Sequence, residues 1–276
     1  MNKKKAFAVP YIVWMVIFTV IPLFLVLFYA FIHRTDSGSL VFTTEYIKSA
    51  LSGSSMSVLI LSLEYALITT VICLVLAYPA ALFLWQLKSR IGSIVNLLFM
   101  LPMWMNFLLR TYAWRALLDA NGPINQFLQW LGLPAMQLLY TEGAVIFGLV
   151  YNFLPFMLLP IYTAFTKIDR SYIQAAEDLG ANKWQTLTRV ILPLTKPGII
   201  TGITMVFMPA VTSFVISRLL GGSQTMMFGD LLENQFMLLK DWNTGSALAV
   251  IMMVLMLISM ALVRKTDDDS MPGGGI

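Results

Sequence analysis

The sequence predicts an all-α membrane protein that crosses the bilayer six times. Hydrophobic residues make up 58% of its 276 residues and charged residues only 12%, a composition well outside that of soluble globular domains. The apolar residues form runs long enough to cross a hydrocarbon core of about 30 Å, which takes roughly 20 helical residues. Because lipid offers no water to an open backbone, each run is expected to be a helix.

Six apolar runs are the candidate transmembrane helices. They cover residues 8–32, 58–86, 92–117, 143–165, 198–217 and 245–263. The first run follows three lysines, as in a signal peptide, but it is too long for the apolar part of one and has no small-residue cleavage site. We therefore interpret it as a retained span. The prolines expected to bend these helices are Pro22, Pro79, Pro102, Pro155, Pro160 and Pro209.

Lysine and arginine are distributed unevenly between the segments that join the spans. The richer side holds Lys3, Lys4, Lys5, Lys88, Arg90, Lys167, Arg170, Lys183, Arg189, Lys196, Arg264 and Lys265. The other side holds Arg34, Lys48, Arg218 and Lys240. Since cytoplasmic loops carry the excess of positive charge, both termini are predicted to be cytoplasmic in a cell inner membrane.

The spans suggest a simple domain organisation. Residues 1–276 are treated as one transmembrane domain, with a core of five helices over 58–263. The longest cytoplasmic segment is the loop at 166–197. Residues 264–276 combine charges with a glycine-rich end and have nothing to pack against, so they are predicted to be a flexible cytoplasmic tail.

The sequence contains few of the residue types that catalysis or metal binding needs. Its single cysteine, Cys73, lies in a predicted span and excludes an internal disulfide, and its single histidine, His33, has no second histidine with which to share a metal. The G-x-x-x-x-G-K-[ST] loop that cradles ATP phosphates is absent from the sequence. We therefore predict no catalytic residue, no metal site and no cofactor on this chain, so that energy has to come from a partner.

The loop at 166–197 contains a distinctive pattern. Ser171 and Gln174 fit a capping box. The face expected on the helix that follows consists of Tyr172, Ala175, Ala176 and Leu179. Gly180 can provide a left-handed exit and Asn182 can cap a second helix. The pattern predicts a short helix, a sharp turn and a second helix along the membrane surface.

This segment resembles the EAA loop, E-A-A-x3-G-x9-I-x-L-P, of bacterial ABC importer permeases. The matching positions are Gln174, Ala175, Ala176, Gly180, Val190, Leu192 and Pro193. Gln174 replaces the glutamate of the family and Val190 replaces its isoleucine. The resemblance implies the type I importer permease (MetI-like) fold, in which the first loop helix couples to an ATPase. The coupling residues that it implies are Gln174, Ala175, Ala176, Glu177, Asp178, Gly180, Leu192 and Pro193. An ordinary amphipathic surface helix is the alternative interpretation.

Along nearly the whole chain, the sequence is also similar to the B-type permease of spermidine/putrescine importers. The similar stretches are Leu74–Pro79, Gly148–Met157, Met208–Ala210 with Gly221 and Gly222, and Gln235–Phe236 with Asp241–Trp242. The resemblance implies a polyamine importer that includes a second permease, two ATPase subunits that use ATP and Mg²⁺, and an extracytoplasmic binding protein. The alternatives are a permease for another small solute and an ion-coupled secondary transporter, which would need coupling-ion sites in broken helices.

Two ionisable residues within the spans are candidate functional residues. Glu64 and Arg110 each lie roughly 10 Å below the outer end of a predicted span, at about 1.5 Å per residue. They either pair as a structural brace or leave Glu64 to attract the ammonium groups of a substrate. Neighbouring aromatic residues could add cation–π contacts to a pathway or belong to the interfacial belt. The aromatic pathway candidates are Trp104, Tyr112 and Tyr151.

The outer loop between the last two spans holds further acidic candidates. Asp230 and Glu233 either line the substrate route or form a solvated face. Arg218 lies at the outer end of the fifth predicted span, where an unpaired cation would repel a polyamine. A polyamine pathway therefore requires Arg218 to be paired with an acid or turned away.

Overall fold

The computed structural model describes residues 3–34, 39–87, 89–222 and 224–268, and helices predominate in these ranges. The helices are α1 (Lys3–Met15), α2 (Ile21–Phe31), α3 (Glu45–Ala50), α4 (Gly53–Gln86), α5 (Ser89–Trp104), α6 (Phe107–Leu118), α7 (Pro123–Trp130), α8 (Glu142–Thr166), α9 (Arg170–Asp178), α10 (Lys183–Thr186), α11 (Leu192–Thr212), α12 (Phe228–Glu233) and α13 (Trp242–Asp268). The π-helical segments are Val16–Val20, Leu187–Ile191, Ser217–Gly221 and Asn234–Leu238. Of the predicted tail, residues 269–276 lie outside the described ranges.

A small antiparallel hairpin departs from the all-α prediction. It consists of β1 (Ile32–Arg34) and β2 (Leu40–Phe42), with Ile32 opposite Phe42. The rings of Phe31 and Phe42 stack beside it with centroids 5.7 Å apart. β1 follows the end of α2 directly and begins at Ile32, the last residue of the apolar run predicted as the first span.

In the described ranges, five helices are long and apolar enough to cross a membrane: Val9–Phe31, Gly53–Gln86, Glu142–Thr166, Lys183–Thr212 and Trp242–Ala261. They account for five of the six predicted spans. The prediction of one continuous helix over 92–117 was wrong, because α5 ends at Trp104 and α6 begins at Phe107. Asn106 causes this break: its side chain accepts hydrogen bonds from the N–H groups of Leu108 (2.9 Å) and Leu109 (3.3 Å) and so caps a new helix.

The helix of the fifth span begins earlier and ends earlier than predicted. It runs from Lys183 to Thr212, so the second loop helix and the fifth span are one continuous helix. Three prolines, Pro193, Pro197 and Pro209, lie inside it without ending it. The helix stops at Ser213, whose backbone is extended (ψ 130°). The predicted range 198–217 therefore extended too far.

The chain divides into two compact units. The first comprises the chain up to Leu59 together with Leu231–Ile258. In this unit, the amide of Asn243 at the start of α13 donates hydrogen bonds to the carbonyls of Tyr29 (2.9 Å) and Ile32 (2.7 Å). Because the last carbonyls of a helix have no partner within it, Asn243 closes the end of α2 and fixes α13 against it.

The second unit comprises Ile60–Asp230 and the chain from Ser259 onwards. Its central feature is the packing of α8 along α11, with α4 beside them. The main buried cluster consists of Cys73, Ala77, Ala81, Leu84, Met157, Leu158, Ile161, Phe165, Ile191 and Val206. Cys73 is fully buried there, as expected for a small core residue.

Glycines allow α8 and α11 to approach each other closely. A Cβ atom on Gly198 would lie 2.6 Å from the Cβ of Ala164 and 2.7 Å from the carbonyl oxygen of Pro160. A Cβ atom on Gly202 would lie 2.7 Å from the sulfur of Met157. Real Cβ atoms do not tolerate such distances, so only glycine fits at these positions. Small residues serve the same purpose wherever membrane helices pack with their backbones close together.

The close approach makes the helix pair sensitive to added volume. We expect Gly198→Leu to force α8 and α11 apart and to destabilise the protein by about 1–3 kcal/mol or more, the usual cost of overpacking. The matched control is Gly143→Leu on α8, where an added Cβ would meet only the Thr141 hydroxyl, at 3.8 Å. Melting temperatures of the detergent-solubilised variants measure the effect. Equal melting temperatures for the two variants would contradict the close-packing interpretation.

Candidate functional site

The EAA loop, residues 166–197, begins with a helix that Asp169 caps. The carboxylate of Asp169 accepts a hydrogen bond from the N–H of Ser171 at 2.9 Å. This hydrogen bond holds the pKa of Asp169 below its ordinary value, so a negative charge lies at the positive end of α9 at neutral pH. The predicted capping box of Ser171 and Gln174 was therefore wrong, since the cap lies two residues earlier.

The turn after α9 is a Schellman motif. Gly180 has a φ of +82°, its N–H donates to the carbonyl of Glu177 (2.9 Å), and the N–H of Ala181 donates to the carbonyl of Ala176 (3.0 Å). These bonds satisfy carbonyls at the helix end that would otherwise be unpaired. The left-handed turn predicted at Gly180 is confirmed.

A capping box opens the helix that follows the turn. The N–H of Gln185 donates to the side chain of Asn182 (2.8 Å), and the N–H of Asn182 donates to the side chain of Gln185 (2.9 Å). The prediction that Asn182 caps the second loop helix is confirmed. The two caps and the Schellman turn give the loop a defined geometry from Asp169 to Gln185.

The EAA loop presents apolar side chains at its surface. No residue of α9 is buried, and Leu179 in the turn is 88% exposed. Tyr172 on α9 and Trp184 on α10 are also exposed, whereas Ile173 packs against the main buried cluster. The predicted coupling residues that are exposed are Gln174, Ala175, Glu177, Asp178, Gly180, Leu192 and Pro193, and Ala176 is half-buried.

A cleft of about 290 Å³ lies between α9 and the end of α4. Trp85 and Gln86 line it from α4, and Arg170, Ile173 and Gln174 line it from α9. Gln174, which replaces the glutamate of the EAA pattern, therefore lines this cleft together with Arg170, which lies four residues earlier on the same helix.

The predicted brace between Glu64 and Arg110 is not formed. Arg110 is only 7% exposed. Its guanidinium donates to the carbonyl of Pro102 and lies 5.7 Å from the ring centre of Tyr151. Glu64 is exposed on α4, and the ion pair found among the described residues joins Arg218 to Asp230 instead. The cation of Arg110 is held by a carbonyl and an aromatic ring rather than by a carboxylate.

An apolar cavity of about 470 Å³ opens beside this arginine. Its lining consists of Val95, Leu98, Phe99, Pro102, Tyr151, Leu154 and Pro155, from α5 and α8. Tyr151 also packs edge-on against Trp114, with ring centroids 5.1 Å apart. The structure thus brings Tyr151 to a cavity wall. Trp104 and Tyr112 are exposed elsewhere on α5 and α6 and do not line this cavity.

Asp230 is a buried structural carboxylate. It is 3% exposed and accepts hydrogen bonds from the hydroxyl of Ser217 and from the N–H of Met227. The Nε of Arg218 lies 3.8 Å from its other oxygen. Arg218 is therefore paired with an acid, as a pathway for cations requires. Glu233 lies three residues further along, at the end of α12, and is half-buried.

Two serines in this region were not predicted from the sequence. The hydroxyl of Ser217 holds Asp230, and the hydroxyl of Ser62 on α4 accepts a hydrogen bond from the N–H of Phe228 at 2.7 Å. Both serines are fully buried or nearly so. The only available signal was a small polar residue within an apolar run, which is common in membrane helices.

Comparison with known proteins gives consistent matches over most of the chain. A family model described as binding-protein-dependent transport system inner membrane component matches residues 67–268. The chain is 38% identical over 269 residues to the spermidine/putrescine transport system permease protein PotB of Salmonella typhimurium strain SL1344, covering 93% of this chain and 94% of the relative. It is 38% identical over 247 residues to PotB of Escherichia coli K12, and the match covers 88% of this chain and 90% of that relative.

Solved structures share the fold at low sequence identity. A chain of a bacterial ABC transporter involved in the import of the acidic polysaccharide alginate matches with a TM-score of 0.79 and 17% identity, covering 95% of this chain and 94% of that chain. A chain of the MetNI methionine ABC transporter, in an inward-facing conformation, matches with a TM-score of 0.60 and 15% identity. The match covers 79% of this chain and 96% of that chain.

The environment of Asp230 predicts a stability effect. We expect Asp230→Ala to destabilise the protein by about 1–3 kcal/mol, because the buried donors of Ser217 and Met227 lose their acceptor. Asp230→Asn retains one acceptor oxygen and should therefore destabilise the protein less than Asp230→Ala does. The control is Asp119→Ala, which removes an exposed carboxylate that accepts one hydrogen bond, from Asn121. Thermal unfolding of the purified variants measures the order of stability.

The opposite result would assign Asp230 to transport. If Asp230→Asn and Asp230→Ala unfold like the wild type but raise the half-saturating substrate concentration, the carboxylate faces the substrate and the structural interpretation is wrong.

Proposed function

The chain belongs to the family of binding-protein-dependent transport system inner membrane components, and from this membership we propose that it forms half of the translocation pathway of an ATP-driven polyamine importer. It is a multi-pass inner-membrane protein and a transport component of the permease type. The proposal adds a substrate, a set of partners and an orientation with both termini in the cytoplasm.

The EAA loop carries the proposal. A helix without buried residues, an exposed leucine in a rigid turn and an exposed tryptophan form an apolar surface. Surfaces of this kind suit docking into a groove of another protein. α9 lies between α8 and α11 in the chain, so a partner that moves it acts on both helices. We infer that this partner is an ATPase, present in two copies, which uses ATP and Mg²⁺ on behalf of the complex.

Coupling through the loop would work by differential stabilisation. Nucleotide binding closes the ATPase pair, and the closed pair favours one arrangement of the permease helices over the other. In this proposal a second permease subunit completes the pathway and an extracytoplasmic binding protein delivers the substrate. The coupling residues are those of the EAA pattern, with Gln174 lining the cleft under α9 and Gly180 setting the turn.

The substrate proposal rests on the relatives. The PotB proteins, which are 38% identical, are named as spermidine/putrescine permeases, whereas the solved structures with the same fold belong to a transporter involved in alginate import and to a methionine transporter. The fold alone therefore does not select the substrate. The pairing of Arg218 with Asp230 supports a route for cations, since it masks a cation that would repel a polyamine.

Uptake by cells lacking this chain tests the substrate. We expect accumulation of labelled spermidine and putrescine to fall in such cells and to recover when the chain is supplied from a plasmid, while uptake of an unrelated amino acid is unchanged. Competition by an anionic solute, with none by polyamines, would contradict the polyamine assignment and leave the permease assignment intact.

Gly180 tests the coupling loop separately. Nothing lies within 4 Å of a Cβ built on Gly180, so within this chain a substitution acts through the left-handed backbone, which costs about 1–2 kcal/mol for an ordinary residue. We expect Gly180→Val to lower uptake and substrate-stimulated ATPase activity of the complex several-fold without loss of membrane insertion. Gly180→Asn is the matched control, because asparagine tolerates this conformation.

The coupling proposal fails if the Gly180→Val complex assembles fully and both transports and hydrolyses ATP at the wild-type rate. A loss of uptake that is equal in the valine and asparagine variants would point to the size of the side chain rather than to the turn.

A further inference from the structure

The segment that joins α6 to α8 exposes large apolar side chains. Trp130 at the end of α7 is 80% exposed and Phe127 is also exposed. The exposed apolar residues that follow are Leu131, Leu133 and Met136. Contiguous apolar surface of this kind on a folded segment marks contact with a partner or a membrane.

This segment has a defined fold, which fixes the direction of the apolar face. The side chain of Asn125 is fully buried. Its amide donates to the carbonyls of Asp119 (3.2 Å) and Met136 (2.9 Å), and its oxygen accepts from the N–H of Met136 (2.9 Å). At the far end, the N–H of Tyr140 donates to the carbonyl of Leu220 (2.8 Å). The apolar side chains are therefore held at the surface by the backbone and cannot turn inwards.

Helix α7 has two different exposed sides. Ile124 and Leu128 are half-buried and form its inner side. Phe127 and Trp130, three residues apart, share one exposed side, with their rings stacked 5.9 Å apart. On the other exposed side are Gln126 and Gln129, which have polar but uncharged side chains. The exposed surface is thus divided lengthwise into an aromatic strip and an amide strip.

The charge of the segment differs sharply from that of the EAA loop. Residues 120–141 contain no lysine, arginine, histidine, aspartate or glutamate. The charged residues of the EAA loop are Lys167, Asp169, Arg170, Glu177, Asp178, Lys183, Arg189 and Lys196. The two segments lie at opposite ends of α8, whose 25 residues extend about 37 Å at 1.5 Å per residue. One end of α8 therefore meets a charged loop, and the other meets an aromatic segment whose nearest charged residues along the chain are Asp119 and Glu142.

We propose that α7 lies in the lipid–water interface of the leaflet opposite to the EAA loop, with Phe127 and Trp130 among the lipids and Gln126 and Gln129 facing water. Tryptophan is enriched at this depth of the bilayer, because its ring is apolar and its N–H can still find a polar partner. An amphipathic helix that lies in the interface plane buries an apolar face of this kind. α7 then anchors the adjoining ends of α6 and α8 at a fixed depth.

Lipid explains the apolar face better than a soluble partner does. A binding protein that docks and leaves would return Trp130 and its neighbours to water in every cycle, whereas lipid covers them throughout. The bilayer is present at the end of α8 in every state, because α8 is a membrane-crossing helix by length and composition.

Spin labels on the two strips test this placement. The full complex, purified with the subunits that accompany the chain, is reconstituted in nanodiscs of phosphatidylethanolamine and phosphatidylglycerol. One nitroxide is attached at Trp130→Cys and, in a separate variant, at Gln129→Cys as the matched control. Cys73 is fully buried, and the wild-type chain carried through labelling checks that it does not react.

We expect collisions of the Trp130→Cys label with oxygen, which concentrates in lipid, to exceed those with a water-soluble nickel chelate by several-fold. The Gln129→Cys label should show the reverse preference. A label at Phe127→Cys provides a second reading of the aromatic strip. A third reading, which needs no cysteine, is the quenching of tryptophan fluorescence by brominated lipids in the wild type and in Trp130→Phe. The wild type should lose the larger fraction of its emission.

Three outcomes would overturn the proposal. Preference for the nickel chelate at both Phe127→Cys and Trp130→Cys would place the strip in water. Protection of these labels from the chelate only after addition of the binding protein would make the face a protein docking site. Smaller fractional quenching of the wild type than of Trp130→Phe by brominated lipids would likewise separate Trp130 from the bilayer.

Discussion

The near-contact between the backbones of α8 and α11 is the interaction on which the second unit depends. Gly198 and Gly202 bring the two helices together, and α9 with its turn connects them at one end. The pair is therefore a helical hairpin with the EAA loop at its tip. Membrane helices gain no hydrophobic driving force from each other and associate through close packing. The absence of side chains at Gly198 and Gly202 is therefore what allows α8 and α11 to pack as a pair. In the proposed function, a displacement of α9 would act on both helices because α9 connects them in the chain.

A second constraint is that backbone groups at helix ends have to be satisfied by the chain itself. Lipid cannot supply hydrogen bonds, and the structure uses short polar side chains at several helix ends. Asn106 starts α6, Asn243 closes the end of α2, and Asn182 starts the long helix of the fifth span. Asp230 and Ser62 do the same for the segment around Phe228. These residues look unremarkable in an apolar sequence, yet they set where each helix begins and ends.

Much of this architecture could be predicted from the residues. Apolar runs of about 20 residues located five of the membrane-crossing helices, and the EAA pattern located the turn at Gly180, because a left-handed conformation strongly favours glycine. The break at Asn106 and the continuity from Lys183 to Thr212 could not be predicted in this way, since hydropathy does not distinguish one helix from two in line. The Glu64–Arg110 pair failed for a different reason. Equal depth in two spans does not determine which way each side chain points. Arg110 instead donates a hydrogen bond to the carbonyl of Pro102 and lies over the ring of Tyr151.

The π-helical segment Leu187–Ile191 lies between the loop and the rest of the helix that ends at Thr212. A π turn holds about one residue more than an α turn. Deleting a single residue here would therefore restore a regular α-helix of nearly the same length and leave Trp184 on nearly the same side of the axis relative to Leu192. The π turn is thus a position at which the chain can lose one residue without redirecting the exposed loop surface. The packing of Gly198 and Gly202 against α8, further along the same helix, would remain as it is.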